Sequence, residues 1–343
     1  MKAWKGSARA LLLPAVLMLG GAGCSLSGTT NAPDGGDSLY VDRDPPQTEL
    51  NGVSFDPEAV YMYQQFICPD PCPSGAPALA TYSPPFMQSL VAGGQVHVVD
   101  PLTGNDAATV TQTGLDGRWS AKVPQRNGAP YFTQEEGGAI PPSSDPDVVA
   151  LPPVTYVSTH SLRPLPTGSS SVCASVPAPM ISDSGIVQAV ARYLGVSVSD
   201  LLDPGQAGGV AVIWLYRPDF FVNIGTAAGT SVESTLGTVF NIGWKFPGTG
   251  DATQSDRGFY VDTSSPVSAL GLSVVLFDAA EAGQVATLTG HDPVEDAAAE
   301  RPWTTQPLDI TVTPGSVAYA GFQMTGITTF PANPNFCTAG QVP

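Results

Sequence analysis

The chain has 343 residues and a formal charge of −17, from 13 basic and 30 acidic side chains. Such a surface repels phosphate backbones and anionic headgroups, which argues against nucleic-acid binding. With 37 glycines, 34 prolines and only 13% charged residues, the chain is poor in the Lys, Glu and Leu runs of long helices, while 42% hydrophobic residues are enough for packed cores.

Three of the basic residues, Lys2, Lys5 and Arg9, precede an apolar run from Ala10 to Leu19. Gly20-Gly21-Ala22-Gly23 then leads into Cys24. A basic end, a short apolar run and small residues before a cleavage point are the parts of a secretory signal. The segment resembles a bacterial lipobox, in which a cysteine becomes the first residue of the mature chain. Ala22 and Gly23 fit the motif, whereas Gly21 stands where the family usually has Leu. The resemblance implies lipidation of Cys24 on its side chain and freed amine. An ordinary signal cut near Ala22 is the alternative. An uncleaved anchor is a third reading, but the run is too short for a bilayer core that needs about 20 residues. Ser25 follows the cysteine, not the Asp that retains many such proteins on the inner membrane, which points to the outer membrane. The expected partners are a lipid bilayer through the acylated N-terminus and an envelope or extracellular-matrix protein.

Residues 25–55 read as a flexible tether of Gly, Ser, Thr, Asn, Asp and Pro, ending near Asp44-Pro45-Pro46. Residues 56–90 form a cysteine-containing segment expected to pack on the first domain. Within it, aromatic-rich Val60–Ile67 reads as a strand, although Asp56-Pro57-Glu58 equally offers a helix start. With Cys24 set aside, four cysteines remain: Cys68, Cys72, Cys173 and Cys337. In an oxidising compartment they are disulfide candidates, with three possible pairings. Cys68–Cys72 as a local clip and Cys173–Cys337 as a long closure is the expected one, the latter worth about 4–5 kcal/mol in the chain-entropy model. A zinc site is disfavoured because no histidine lies near either pair.

Gly94–Asp100 alternates apolar and polar residues as a half-buried strand does. Ala108–Thr113 gives a second strand, Asp116-Gly117 a tight turn, and Arg118–Pro124 a third strand with Trp119, Ala121 and Val123 on one face. The pattern of Gly94, Val96, Val98, Asp100, Thr103-Gly104, Thr113, Asp116-Gly117, Trp119 and Val123 resembles the carboxypeptidase regulatory-like domain. That resemblance covers about a tenth of the chain. It implies a transthyretin-like β-sandwich over residues 91–170, and a structural or binding module with no catalytic residues to carry over. Val148–Val157 offers one further strand.

Residues 171–204 read as a helical connector. Ile186, Val187, Val190, Ala191 and Leu194 recur at helical spacing, Ser182 or Asp183 is placed to cap the start, and Gly195 ends the run. Residues 205–332 contain eight strand candidates: Gly209–Tyr216, Thr230–Ser234, Gly237–Trp244, Phe259–Val261, Leu272–Phe277, Val285–Thr289, Leu308–Val312 and Val317–Met324. They predict a second β-sandwich, with acidic His291–Trp303 as an excursion loop and 333–343 as a tail. The fold class is therefore all-β: two β-sandwich domains, the first transthyretin-like, joined by a short helical connector.

No catalytic constellation, metal site or cofactor is expected. His97, His160 and His291 are far apart, and no Gly-x-Ser-x-Gly, Walker loop, His-Glu-x-x-His or dinucleotide fingerprint occurs. The acid pairs Asp42/Asp44, Asp145/Asp147 and Asp251/Asp256 do not continue into calcium loops. Trp119 and Trp214 read as core, and Trp303 as the best exposed aromatic for a sugar ring. The expected role is a non-enzymatic envelope lipoprotein that is structural, adhesive or protein-binding. A carbohydrate-binding protein is the alternative, and an envelope hydrolase a more distant one.

Overall fold

The computed structural model describes residues 46–67, 87–110, 112–128, 130–144, 150–162, 164–165, 167, 173–217, 225–248, 251–292, 303–304 and 307–323. Strands hold 47% and helices 13% of the described residues, an all-β fold.

The first half is built on six strands: β1 (Gln47–Phe55), β2 (Ala92–Asp100), β3 (Asn105–Val110), β4 (Arg118–Pro124), β5 (Phe132–Ala139) and β6 (Thr159–Ser161). A seventh, β7 (Cys173–Pro179), follows them. Strand β1 lies between antiparallel β4 and parallel β7. This three-stranded sheet faces β3–β2–β5 across a core of Leu50, Val96, Val98, Trp119, Val123, Tyr131, Leu165, Val176 and Ala178. Trp119 is 5% exposed, and Val123 lies on the same face, as the alternation requires. Gly52 is where β1 passes closest to that ring: a Cβ there would lie 2.0 Å from the Val176 carbonyl oxygen and 2.6 Å from the Trp119 ring. A side chain at this position would collide with both neighbouring strands of its own sheet, the β7 backbone and the Trp119 ring of β4.

The second half adds ten strands: β8 (Ala207–Arg217), β9 (Gly225–Thr226), β10 (Ser231–Ser234), β11 (Thr238–Trp244), β12 (Phe259–Val261), β13 (Leu272–Asp278), β14 (Val285–Asp292), β15 (Trp303–Thr304), β16 (Leu308–Thr311) and β17 (Val317–Gln323). Strand β8 reads Val-Ala-Val-Ile-Trp-Leu because both its faces are covered. Val210, Val212 and Trp214 point to one core, Ala211, Ile213 and Leu215 to the other. The second core lies against the smaller sheet β10–β14–β16, through Val232, Ala286, Leu288 and Ile310. The first core lies beneath three helices: α1 (Pro57–Ile67), α2 (Ile186–Leu194) and α3 (Val198–Leu201). Ile186, Val187 and Val190 form the buried stripe of α2, which ends at Gly195 with φ 73°. The helices and two sheets stack as three layers.

One sheet of ten strands crosses from the first half to the second, in the order β12–β11–β13–β8–β17–β6–β5–β2–β3, with β9 pairing the end of β8. The crossing is made by β6, antiparallel to β5 and parallel to β17. The expected connector is accordingly a layer of the body: α2 and α3 pack on the sheet.

Several elements differ from the sequence reading. Residues 47–55, expected as the end of a tether, form the central strand β1. Val60–Ile67 is helix, because Asp56 caps it: its Oδ1 accepts the Ala59 N–H at 2.9 Å and Pro57 opens the first turn. Within Val148–Val157, the described residues make a single bridge at Tyr156; Pro152 and Pro153 have no N–H to give a ladder. Both ends of the supposed 291–303 loop are strand, with Asp292 of β14 opposite Trp303 of β15.

Candidate functional site

The principal cluster of ionisable groups is built where α1 and α2 begin. Asp56 and Glu58 flank Pro57 at the start of α1, and both are fully buried. Arg257 enters from the turn before β12 and is 1% exposed. Its Nη1 donates to Asp56 Oδ2 at 2.5 Å and to Glu58 Oε2 at 3.0 Å. The Tyr156 hydroxyl donates to Asp56 Oδ2 at 2.9 Å. The Arg257 backbone is fixed as well: its N–H reaches the Ser184 carbonyl at 3.2 Å, and its carbonyl accepts Trp244 Nε1 at 2.8 Å. Arg257 Nε and Nη2 make no hydrogen bond.

Glu58 also caps α2 from outside that helix. Its Oε1 accepts the Ile186 N–H at 2.6 Å, and its Oε2 accepts the Ser182 N–H at 3.3 Å and the Ser182 hydroxyl. A carboxyl oxygen at this end of a helix meets N–H groups that have no partner within the helix. Gly185 makes room for it, since a Cβ there would lie 2.2 Å from Glu58 Oε1. The cap expected from Ser182 or Asp183 is therefore supplied by Glu58; the N-cap residue is Gly185, with no side-chain cap.

Two carboxyls thus share one guanidinium in a sealed interior. Burial raises the Glu58 carboxyl to about 7; Arg257 pulls it down and Asp56 pushes it up. The desolvation cost outweighs the attraction of the single cation. Burial also disfavours the Arg257 charge, yet Asp56 and Glu58 together outweigh it and raise its pKa. Tyr156 is held above the ordinary phenol range, first by burial and then by Asp56.

An open cleft of about 370 Å³ adjoins the cluster, lined by Val154, Thr155, Asp183, Ser184, Gln188 and Asp256. These residues neighbour Tyr156, Ser182 and Arg257 in sequence, so the same three segments carry both cleft and cluster. Asp256 is tied to α2: Arg192 Nη2 donates to its Oδ1 at 2.6 Å and Gln188 Nε2 to its Oδ2 at 3.0 Å. The Gln188 hydrogen bond, with Arg192, holds this carboxyl below the usual range.

A second buried acid stands in the other core. Glu135 of β5 is fully buried opposite Val96, and neither carboxyl oxygen has a hydrogen-bond partner. Burial pushes its pKa well up, against a smaller opposing pull from the neighbouring Thr133 hydroxyl.

Each of the three histidines has its own neighbour. His97 Nδ1 sits 2.7 Å from Asp106 Oδ2 on β2 and β3, and the bond lowers the Asp106 pKa. His160 Nε2 meets the Ser316 hydroxyl at 3.3 Å, and burial lowers its pKa. His291 lies 3.5 Å from Glu233. Among the described residues, no group of three or more His, Cys, Asp or Glu is placed to hold a metal ion, and no helix is long and apolar enough to cross a membrane.

Cys24, Cys68, Cys72 and Cys337 lie outside the described residues. Cys173 is in β7, opposite Glu49 of β1, and its side chain is outside the description, as is that of Trp303 in β15. Trp119 and Trp214 are core residues, at 5% and 0% exposure. The sequence reading missed Glu58 and Arg257. Asp56-Pro57-Glu58 carried a visible helix-start signal, but Arg257 lies 199 residues from Glu58 and has no motif around it. No protein-family model matches the chain, and no curated protein matches it.

Proposed function

We propose that this chain is a cell-envelope lipoprotein, fastened to a bilayer through an acylated Cys24, with a non-enzymatic structural, adhesive or protein-binding role. The N-terminal pattern carries this reading: three basic residues, an apolar run and Gly-Ala-Gly before the cysteine. The fold is consistent with it. The body begins at β1, which leaves 25–46 as a polar spacer with a root-mean-square reach of about 23–28 Å if flexible. Ionisable groups are spent on holding elements together, since Asp56, Glu58 and Arg257 are all sealed from solvent. The β2–β3 hairpin, with β4 placing Trp119 in the core between sheets, supports the likeness to carboxypeptidase regulatory-like modules. Ser25 supports an outer-membrane address.

Fractionation of cells bearing the native chain and a Cys24→Ser variant tests the anchor: the native protein is expected with membranes and the variant free of them. Equal partition of the two overturns it. Cross-linking on intact envelopes tests the binding role, which requires a reproducible protein partner.

A second reading, binding to carbohydrate, draws support from Tyr193 and Phe246, 44% and 46% exposed. Tyr193 abuts the Phe240 ring and Phe246 the Trp244 ring, at 5.9 and 4.9 Å between centroids. Exposed rings of this kind stack on sugars. Quenching of Trp fluorescence by oligosaccharides, abolished in Phe246→Ala, distinguishes it from the first reading.

A further inference from the structure

Four segments distant in sequence meet around Asp56 and Glu58: the start of α1, the Ser182–Ile186 approach to α2, the Arg257 turn and the stretch carrying Tyr156. The cluster is uneven in charge, because one Nη1 serves both carboxyls while Nε and Nη2 of the same guanidinium serve neither. A neutral acid at Glu58 removes the imbalance and keeps the contacts. Its carbonyl oxygen still accepts the Ile186 N–H, and the Ser182 hydroxyl, a donor to a carboxylate, equally accepts from an acid O–H.

We propose that this cluster is a proton-operated latch: Glu58 carries a proton while α1 and α2 are closed onto the ten-stranded sheet, and losing that proton leaves an uncompensated charge beneath the helices and loosens α2. The titratable groups facing Glu58 are Asp56 from its own segment, Arg257 from the β12 turn and Tyr156. The Ser182–Ile186 segment offers a hydroxyl and amides. Tyr63 of α1 lies within the field of Asp56 and Arg257.

The pH range follows from the Glu58 carboxyl, moved by burial from 4.5 to about 7. The folded chain holds this proton more tightly than the unfolded one. The stabilisation is complete below about pH 4.5 and is lost as pH rises through about 7.

Two measurements on the full chain decide the matter. In infrared difference spectra, the C=O band of a protonated carboxyl is expected to vanish between about pH 5.5 and about pH 8.5, and to be missing in Glu58→Gln. Glu135→Gln removes the band of the other buried acid. In amide exchange corrected for intrinsic rates, protection of α2 is expected to fall several-fold more than that of β8 over the same range, with no such fall in Glu58→Gln. Should that variant not fold, the Glu135→Gln chain, whose one remaining raised buried acid among the described residues is Glu58, supplies both the spectra and the exchange. Absence of a titrating band overturns the latch, and so does a titrating band with α2 and β8 equally protected at both pH values.

Discussion

Replacing Glu135 by Met is expected to stabilise the fold, and by more at pH 7 than at pH 4. The side chain is fully buried, faces Val96 across the ladder, and has neither oxygen hydrogen-bonded. Burying an unpartnered polar group costs about 1–3 kcal/mol. A second cost comes from the proton. With its pKa held well above the ordinary range by burial, the folded chain keeps this group protonated where the unfolded chain ionises it. This cost is absent near pH 4, where both states hold the proton, and grows as pH rises above the ordinary carboxyl range. Methionine has similar length, no charge and an adaptable thioether, so it fills the same space in the Trp119 core. Urea unfolding at both pH values, read by Trp fluorescence, measures the change. A gain of about 1–3 kcal/mol at pH 4, and a larger gain at pH 7, is expected with an unchanged denaturant slope. A loss of stability at both pH values would refute the reasoning, because it would mean that the carboxyl makes bonds the fold depends on.

Arg257→Met, which strands two buried carboxyls, is expected to cost about 3–5 kcal/mol in denaturant unfolding at neutral pH. Adding Asp56→Asn and Glu58→Gln to it should recover part of that loss. Gly52→Ala drives a methyl into the Val176 carbonyl and the Trp119 ring and should cost about 3 kcal/mol. Its near-UV dichroism should show a displaced tryptophan. Asp106 has its pKa lowered by the His97 hydrogen bond. Its contribution, present above the ordinary carboxyl range, is lost as pH falls through the lowered value. His97→Ala should therefore weaken the fold near neutral pH, by less than about 1 kcal/mol for so exposed a pair, with the difference shrinking in acid.

Strands with period-two or doubly buried sequences were legible. Arg118–Pro124 and Phe259–Val261 match the observed limits, and β8, β11, β13 and β17 differ by a residue or two. Strand β1 was not legible because its buried positions include Thr48, Gly52 and Ser54, and only Leu50 marks the inward face as apolar. Strand β5 hid behind Thr133 and Glu135 at inward positions, and β7 behind Pro177 and Pro179. In α1 the aromatic and β-branched residues favour strand, and the Asp56 cap with its tertiary setting overrode them. The cluster could not be read at all, because its members are joined only by folding: Asp56 and Arg257 stand 201 residues apart.

Mass spectrometry of the N-terminal peptide of protein purified from its native envelope bears most directly on the anchored-module account. The expected species begins at Cys24 and carries acyl chains on the cysteine. A chain that starts at Met1, or one cleaved near Ala22 with an unmodified Cys24, would contradict it.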